Sequence, residues 1–240
     1  MDDKQRQIQD IVLSSPEALL NPMGYVREAI RDLGKLQLNR FIEAGSLPNL
    51  KCNTKTRVTG DSDAALMVVM DYPADTQAKL SRSIDMFEGN ENVRSFLKTC
   101  FESHGVNFNK ILWMNTVPYC PTKTVGGEEV PRAPLKKEIE LCKTYMRYAV
   151  DLFHPPMLLL MGNVASNVYF RGKPISKIRG TWQSVHCIPT MPTYSPNELG
   201  EYRSVSPERA MAMLNEFKED IANAMAEYKR CYPNSNLFVK

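Results

Sequence analysis

The sequence contains no run of about 18 apolar residues, so nothing in it reads as a membrane span. Charge of one sign is also scarce, with a net charge of +3 over 240 residues. That excludes a polybasic chain. It leaves room for a local basic face, because affinity for phosphates depends on where charge lies and not on its sum. No G-x-G-x-x-G and no G-x-x-x-x-G-K-[ST] follows a predicted strand, which argues against a generic nucleotide-binding α/β protein. Repeats and low-complexity tracts are absent. The opening MDDKQRQIQD is polar and lacks the apolar centre of a signal peptide. The expected location is the cytoplasm, or a host cytoplasm if the chain is viral, with no membrane partner. Histidine is reduced to His104, His154 and His186. All three read as structural, His154 at a helix end before Pro155–Pro156 and His186 inside a strand.

What is present is ordinary globular material, 43% hydrophobic and 24% charged. The length fits one domain with a full core. Residues 1–50 read as an N-terminal helical arm. Pro22 to Ala44 carries Val26, Ile30, Leu33, Leu36, Leu38, Phe41 and Ile42 at helical spacing, and Gly45, Pro48 and Asn49 end it. Residues 51–230 read as an α/β domain. Four short apolar runs, Ala65–Met70, Ile111–Val117, Met157–Met161 and Val185–Pro189, are predicted strands. The stretches Asn92–His104, Lys136–Phe153 and Asn163–Phe170 between them are helix-like. The alternation predicts a three-layer α/β/α sandwich with a central four-stranded parallel sheet, its strands buried on both faces. A closing helix is expected over Pro207–Tyr228, with Ser206 as N-cap and Pro207 at the first helical position. Residues 231–240 read as an exposed tail.

Ligands of open parallel sheets sit beyond the carboxyl ends of the strands. The segments to search are therefore MDYPAD, MNTVPYCP, MGNVAS and PTYSPNELG. Here the chain resembles a known family. ISKIRGTW followed by TYSPNEL is similar to the pattern of iron–sulfur uracil-DNA glycosylases, where an RG-x-W strand entry precedes a histidine–proline loop. ILWMNTVPYCP resembles the family's strand ending in Asn before a Cys-Pro-rich loop. RAPLKKEIELC resembles its next helix, and DAALMVVMDYPAD its first motif, Gly-Glu-Ala-Pro-Gly. The likeness runs from about Cys52 to Leu199.

The resemblance implies a DNA glycosylase-like protein that binds DNA and flips out uracil or a modified pyrimidine. Asn115 would read the base edge, since a carboxamide supplies one donor and one acceptor at fixed positions. Phe87 would stack on the base, with Tyr72 beside it. Asp71 replaces the motif's Glu one methylene shorter and would stabilise an oxocarbenium-like state or position water. Met70 and Ala74 stand where the motif has glycine, and Pro73 is retained. Ser195 occupies the position of the family's His and offers a neutral, shorter donor to the departing base. Pro196 and Asn197 would shape a loop pressing on DNA, and Arg179 and Lys177 would contact phosphates.

The same resemblance implies a [4Fe-4S] cluster held by four cysteines. Cys52, Cys120 and Cys142 fall on three ligand positions. The fourth is a non-cysteine or solvent ligand, or is supplied by Cys100, Cys187 or Cys231, or the cluster is lost. Two readings of function follow. One is a glycosylase that hydrolyses the N-glycosidic bond with Asp71 and Ser195. The other is an inactive glycosylase-fold module that binds DNA or a replication or repair protein.

Overall fold

In the computed structural model, residues 22–44 and 54–239 are described. Helix α1 (Pro22–Glu43) precedes the short strands β1 (Lys55–Thr56) and β2 (Thr59–Gly60). Strands β3 (Leu66–Met70) and β4 (Ser83–Ile84) lead to helix α2 (Glu91–Glu102). Strand β5 (Ile111–Asn115) runs into the hairpin β6 (Thr122–Val125) and β7 (Glu128–Pro131). Helix α3 (Lys136–Phe153) and strand β8 (Met157–Met161) follow. Short helices α4 (Asn163–Asn167) and α5 (Ile175–Ile178) stand before β9 (Gln183–Val185) and β10 (Ile188–Thr193). Helices α6 (Pro196–Val205) and α7 (Pro207–Cys231) close the chain.

The main sheet has the order β2-β5-β3-β8-β10-β9. Its four central strands are parallel, and an antiparallel strand covers each edge. Every residue of β3, β5 and β8 is buried, as expected of apolar strands covered on both faces. Side chains alternate across the sheet. Val68, Trp113 and Leu159 meet Phe101 of α2 and Phe217 of α7 on one face. Val69, Met114 and Leu160 meet Leu38 of α1 and Met146 and Phe153 of α3 on the other. The α/β/α sandwich is therefore present.

Two sequence expectations change, one at the last predicted strand and one at the chain end. The run Val185–Pro189 is not one strand. His186 (φ 48°) and Cys187 (φ 65°) form the two-residue turn that folds β9 back on β10. Hairpin turns of this kind need positive φ at both central positions and usually take Asn or Gly there. His186 thus sits in a turn, bonded to Asp151 and edge-on to the Tyr169 ring. Helix α1 packs on the domain. Leu38 and Ile42 are in the core, and Asn39 brackets the backbone of Val58, accepting its N–H at 2.8 Å and donating to its carbonyl at 3.1 Å. The chain end is held too. Leu237 is fully buried, its carbonyl accepts the Asn107 N–H at 2.7 Å, and Val239 N–H donates to the Gly105 carbonyl at 2.8 Å.

Arg179 corrects a further expectation. Its guanidinium does not face solvent as a phosphate contact would. It donates to both Asp220 carboxylate oxygens, at 3.0 and 2.6 Å, and to the Glu216 carbonyl at 2.8 Å. Thr193 hydroxyl donates to the same carboxylate at 2.7 Å. The next residue, Gly180 (φ 66°), lies so close to Asp220 that a side chain there would collide with it. The pair R-G thus latches the start of β9 and the end of β10 to α7. Arg179 also lies over the Tyr194 ring, 5.7 Å from its centroid, directly before Ser195. Replacing Arg179 by Met leaves Asp220 buried without its cation. The expected loss in urea denaturation is about 3–5 kcal/mol. Arg179→Lys recovers only part, because an ammonium cannot make the two-pronged bond. A loss below about 1 kcal/mol would contradict the latch.

Candidate active site

Strand register brings the site together. Met70 lies opposite both Asn115 and Met161, and Met161 lies opposite Thr193. The four strands therefore end on one level, and Asp71, Thr116, Gly162 and Tyr194 leave the sheet side by side. Backbone bonds close this end. Thr116 N–H donates to Met70 O at 2.7 Å, Val117 N–H to Asp71 O at 3.0 Å, and Gly162 N–H to Thr193 O at 2.9 Å.

Asp71 is buried at the centre of this row, 5% exposed. Its Oδ1 accepts the Ala165 N–H of α4 at 2.8 Å. Gly162, with φ 112°, passes beneath the carboxyl so closely that a Cβ would overlap it. Only glycine takes that backbone angle without strain, so the residue serves both requirements. Burial pushes the Asp71 carboxyl up to about 8, and Glu198 pushes the same way against the backbone donors of Ala165 and Val164. At neutral pH the group is mostly protonated.

Asn115 ends β5 on the neighbouring strand and is 3% exposed. Its Nδ2 donates to Thr56 Oγ1 at 2.9 Å. Its Oδ1 is buried and has no hydrogen-bond partner among the described residues. A buried carbonyl oxygen without a donor is uncommon and marks a place for one. Thr56, on β1 and 1% exposed, had no part in the sequence reading. Nothing in its local pattern marks it.

Ser195 is buried, 1% exposed, and its carbonyl accepts the Leu199 N–H at 3.2 Å. It opens helix α6, with Pro196 at the first helical position. Pro196 is buried, so it does not form a projecting wedge. Asn197 turns back over the site. Its Nδ2 reaches Tyr72 O at 3.4 Å, and its Oδ1 accepts from Asn90 Nδ2 at 3.1 Å. Tyr72 is half-buried and packs on Val117 and Tyr119. Lys177 is exposed on α5. Phe87 stands apart. Expected to stack on the base, it is 8% exposed and meets the Trp113 ring edge-on at 5.0 Å. The ring belongs to the core because Trp113 and Phe108 offer more apolar contact than its polar sequence neighbours.

The cysteines divide by position. Cys120 and Cys142 are both buried, in adjoining parts of one corner, where Tyr119 hydroxyl lies 3.2 Å from Cys142 Sγ. Burial raises the Cys142 thiol to about 11, Tyr119 opposing the shift. Cys52 lies outside the described residues, but Cys120 N–H donates to Thr54 O at 3.2 Å, two residues away in sequence. Cys100 packs in the core on the α2–α7 face, and Cys187 and Cys231 are exposed beside Trp182 and Tyr232. None of these three joins the corner, which among the described residues holds Cys120 and Cys142. Among the described residues no group of three metal-ligating side chains is assembled.

The arrangement defines a class: an open α/β protein with a carboxyl and a carboxamide, both withdrawn from water, at the carboxyl ends of adjoining strands of a parallel sheet. A family model described as the uracil DNA glycosylase superfamily matches residues 59–222, and the chain belongs to that superfamily. No curated protein matches it. No described helix is long and apolar enough to cross a membrane.

Asp71 makes stability depend on pH. The folded state keeps its proton up to about pH 8, whereas the unfolded chain releases it near 3.8. The folded state thus binds more protons through that window, and stability falls as pH rises across it. The slope approaches about 1.4 kcal/mol per pH unit. Asp71→Asn keeps an oxygen for Ala165 N–H and cannot ionise. Chemical denaturation between pH 4 and 8 should show a flatter profile for the variant and higher stability at pH 8. Parallel profiles would mean that Asp71 is charged at neutral pH.

Proposed function

We propose that the protein binds DNA, takes uracil or a modified pyrimidine out of the base stack, reads it with Asn115, and hydrolyses its N-glycosidic bond slowly. The observation that carries this is the buried Oδ1 of Asn115, without a partner among the described residues, at the carboxyl end of the strand next to the one that leads into Asp71. A flipped pyrimidine supplies the missing N–H donor. Water adds at the sugar carbon as the bond to the base breaks and the base leaves with the electron pair. Asp71, once ionised, stabilises the oxocarbenium-like sugar or orients that water. Ser195 donates to the departing base and, being neutral, does so weakly. Exposed Lys177 and neighbouring Lys173 serve as phosphate contacts.

A specific observation favours the second reading, a glycosylase fold that binds without cutting. Asp71 is mostly protonated at neutral pH and Ser195 stands in place of an imidazole, so both groups expected to do the chemistry are weakened. An abasic-site assay on oligonucleotides with one uracil separates the readings. Excision should rise with pH through about 8, in step with Asp71. Asn115→Ala should lower it about 10²-fold, and Ser195→His should raise it. No product from uracil or modified pyrimidines, with DNA binding retained, selects the binding module, which serves DNA or a replication or repair protein.

The cysteine corner supports one more element of the reading. Cys52, Cys120 and Cys142 would hold a [4Fe-4S] cluster completed by a non-cysteine ligand. Bound by these residues, such a group would supply a structural tie and not the hydrolytic chemistry. Iron analysis of anaerobically prepared protein decides this. A colourless, iron-free preparation removes the cluster.

A further inference from the structure

We propose that Thr56 is a positioning residue that fixes the amide of Asn115, so that the pocket selects a pyrimidine carrying an N3–H donor over one whose N3 is bare or blocked. The inference rests on the base-reading role given to Asn115 above. The Pro118 carbonyl accepts both the backbone N–H of Thr56, at 2.7 Å, and its hydroxyl, at 3.4 Å. With its hydrogen turned to Pro118, Thr56 Oγ1 presents lone pairs to Asn115. Only the NH2 end of the amide can bond there, and it does so at 2.9 Å.

The polarity of the side chain follows. Oδ1 is directed away from Thr56, buried and without a partner among the described residues. Turning the amide over would set carbonyl oxygen against hydroxyl oxygen unless Thr56 withdrew its hydrogen from Pro118. A ring N–H satisfies Oδ1, whereas the N3 lone pair of cytosine meets it as acceptor against acceptor. Thr56 and Asn115 are 1% and 3% exposed, so water does not readily relieve that mismatch.

Fluorescence anisotropy tests this with the full chain and single-stranded oligonucleotides differing in one central base. The bases are uracil, N3-methyluracil and cytosine, each on a 2′-fluorinated sugar so that the glycosidic bond survives. Wild type should bind the uracil strand about tenfold more tightly, or better, than the other two. Thr56→Val keeps the shape and removes the hydroxyl, and should bring the preference down to about twofold or less. Thr56→Ser should retain it. A Thr56→Val protein that keeps the full preference overturns the role of Thr56 alone. A wild type that treats the three strands alike overturns the base-reading role of Asn115, and this inference with it. If Thr56→Val fails to fold, the side-chain amide NMR signals of wild-type Asn115, assigned by their loss in Asn115→Asp, decide instead. A pair protected from exchange at neutral pH supports the bond to Thr56, and a freely exchanging pair contradicts it.

Discussion

The site depends on one crowded contact, the carboxyl of Asp71 lying on the backbone of Gly162. The β3 and β8 strands end level with each other, so the residue leaving one strand sits directly over the residue leaving the other. A side chain at 162 would fill the space the carboxyl occupies, and the positive φ there admits little besides glycine. Once seated, Asp71 is sealed from water and held by the Ala165 N–H. The same seat that fixes its position makes its ionisation costly. Positioning and charge are therefore opposed in this protein.

That opposition shapes the chemistry. A carboxyl that ionises near pH 8 is a poor source of negative charge at pH 7. Ser195, at the start of α6, is itself buried and carries no charge. The part that would read a base under the proposed function is the more fully formed: Asn115 donates to Thr56, and its Oδ1 has no partner among the described residues. The Arg179–Asp220 latch serves that part indirectly. It anchors β10 to α7 and so places Tyr194, Ser195 and the returning Asn197 over the strand ends.

The core strands were legible in the sequence because their burial on both faces writes itself as unbroken apolar runs, as in MLLLM of β8. Asn115 and Asp71 were legible because they stand at the ends of such runs. Helix α6 was not read, although Ser195–Pro196 repeats the Ser206–Pro207 signal that correctly placed the start of α7. The turn at His186–Cys187 was hidden because neither residue is a usual former of a positive-φ turn. Arg179 looked like a surface cation because its partner lies 41 residues away on another helix. The packing of Phe87 was not legible because its neighbours in sequence are polar, while Trp113 and Phe108 reach it only through the fold. For the turn, Arg179 and Phe87, the missing information was a long-range partner or a backbone angle.

The most direct test is the ionisation of Asp71 itself, followed by carbon NMR of its labelled carboxyl in the folded protein and assigned by Asp71→Asn. The account predicts a midpoint near 8, well above the 3.8 of an ordinary aspartate. A midpoint near 3.8 would contradict it, because the carboxyl would then be charged at neutral pH and the site would be neither dry nor short of negative charge.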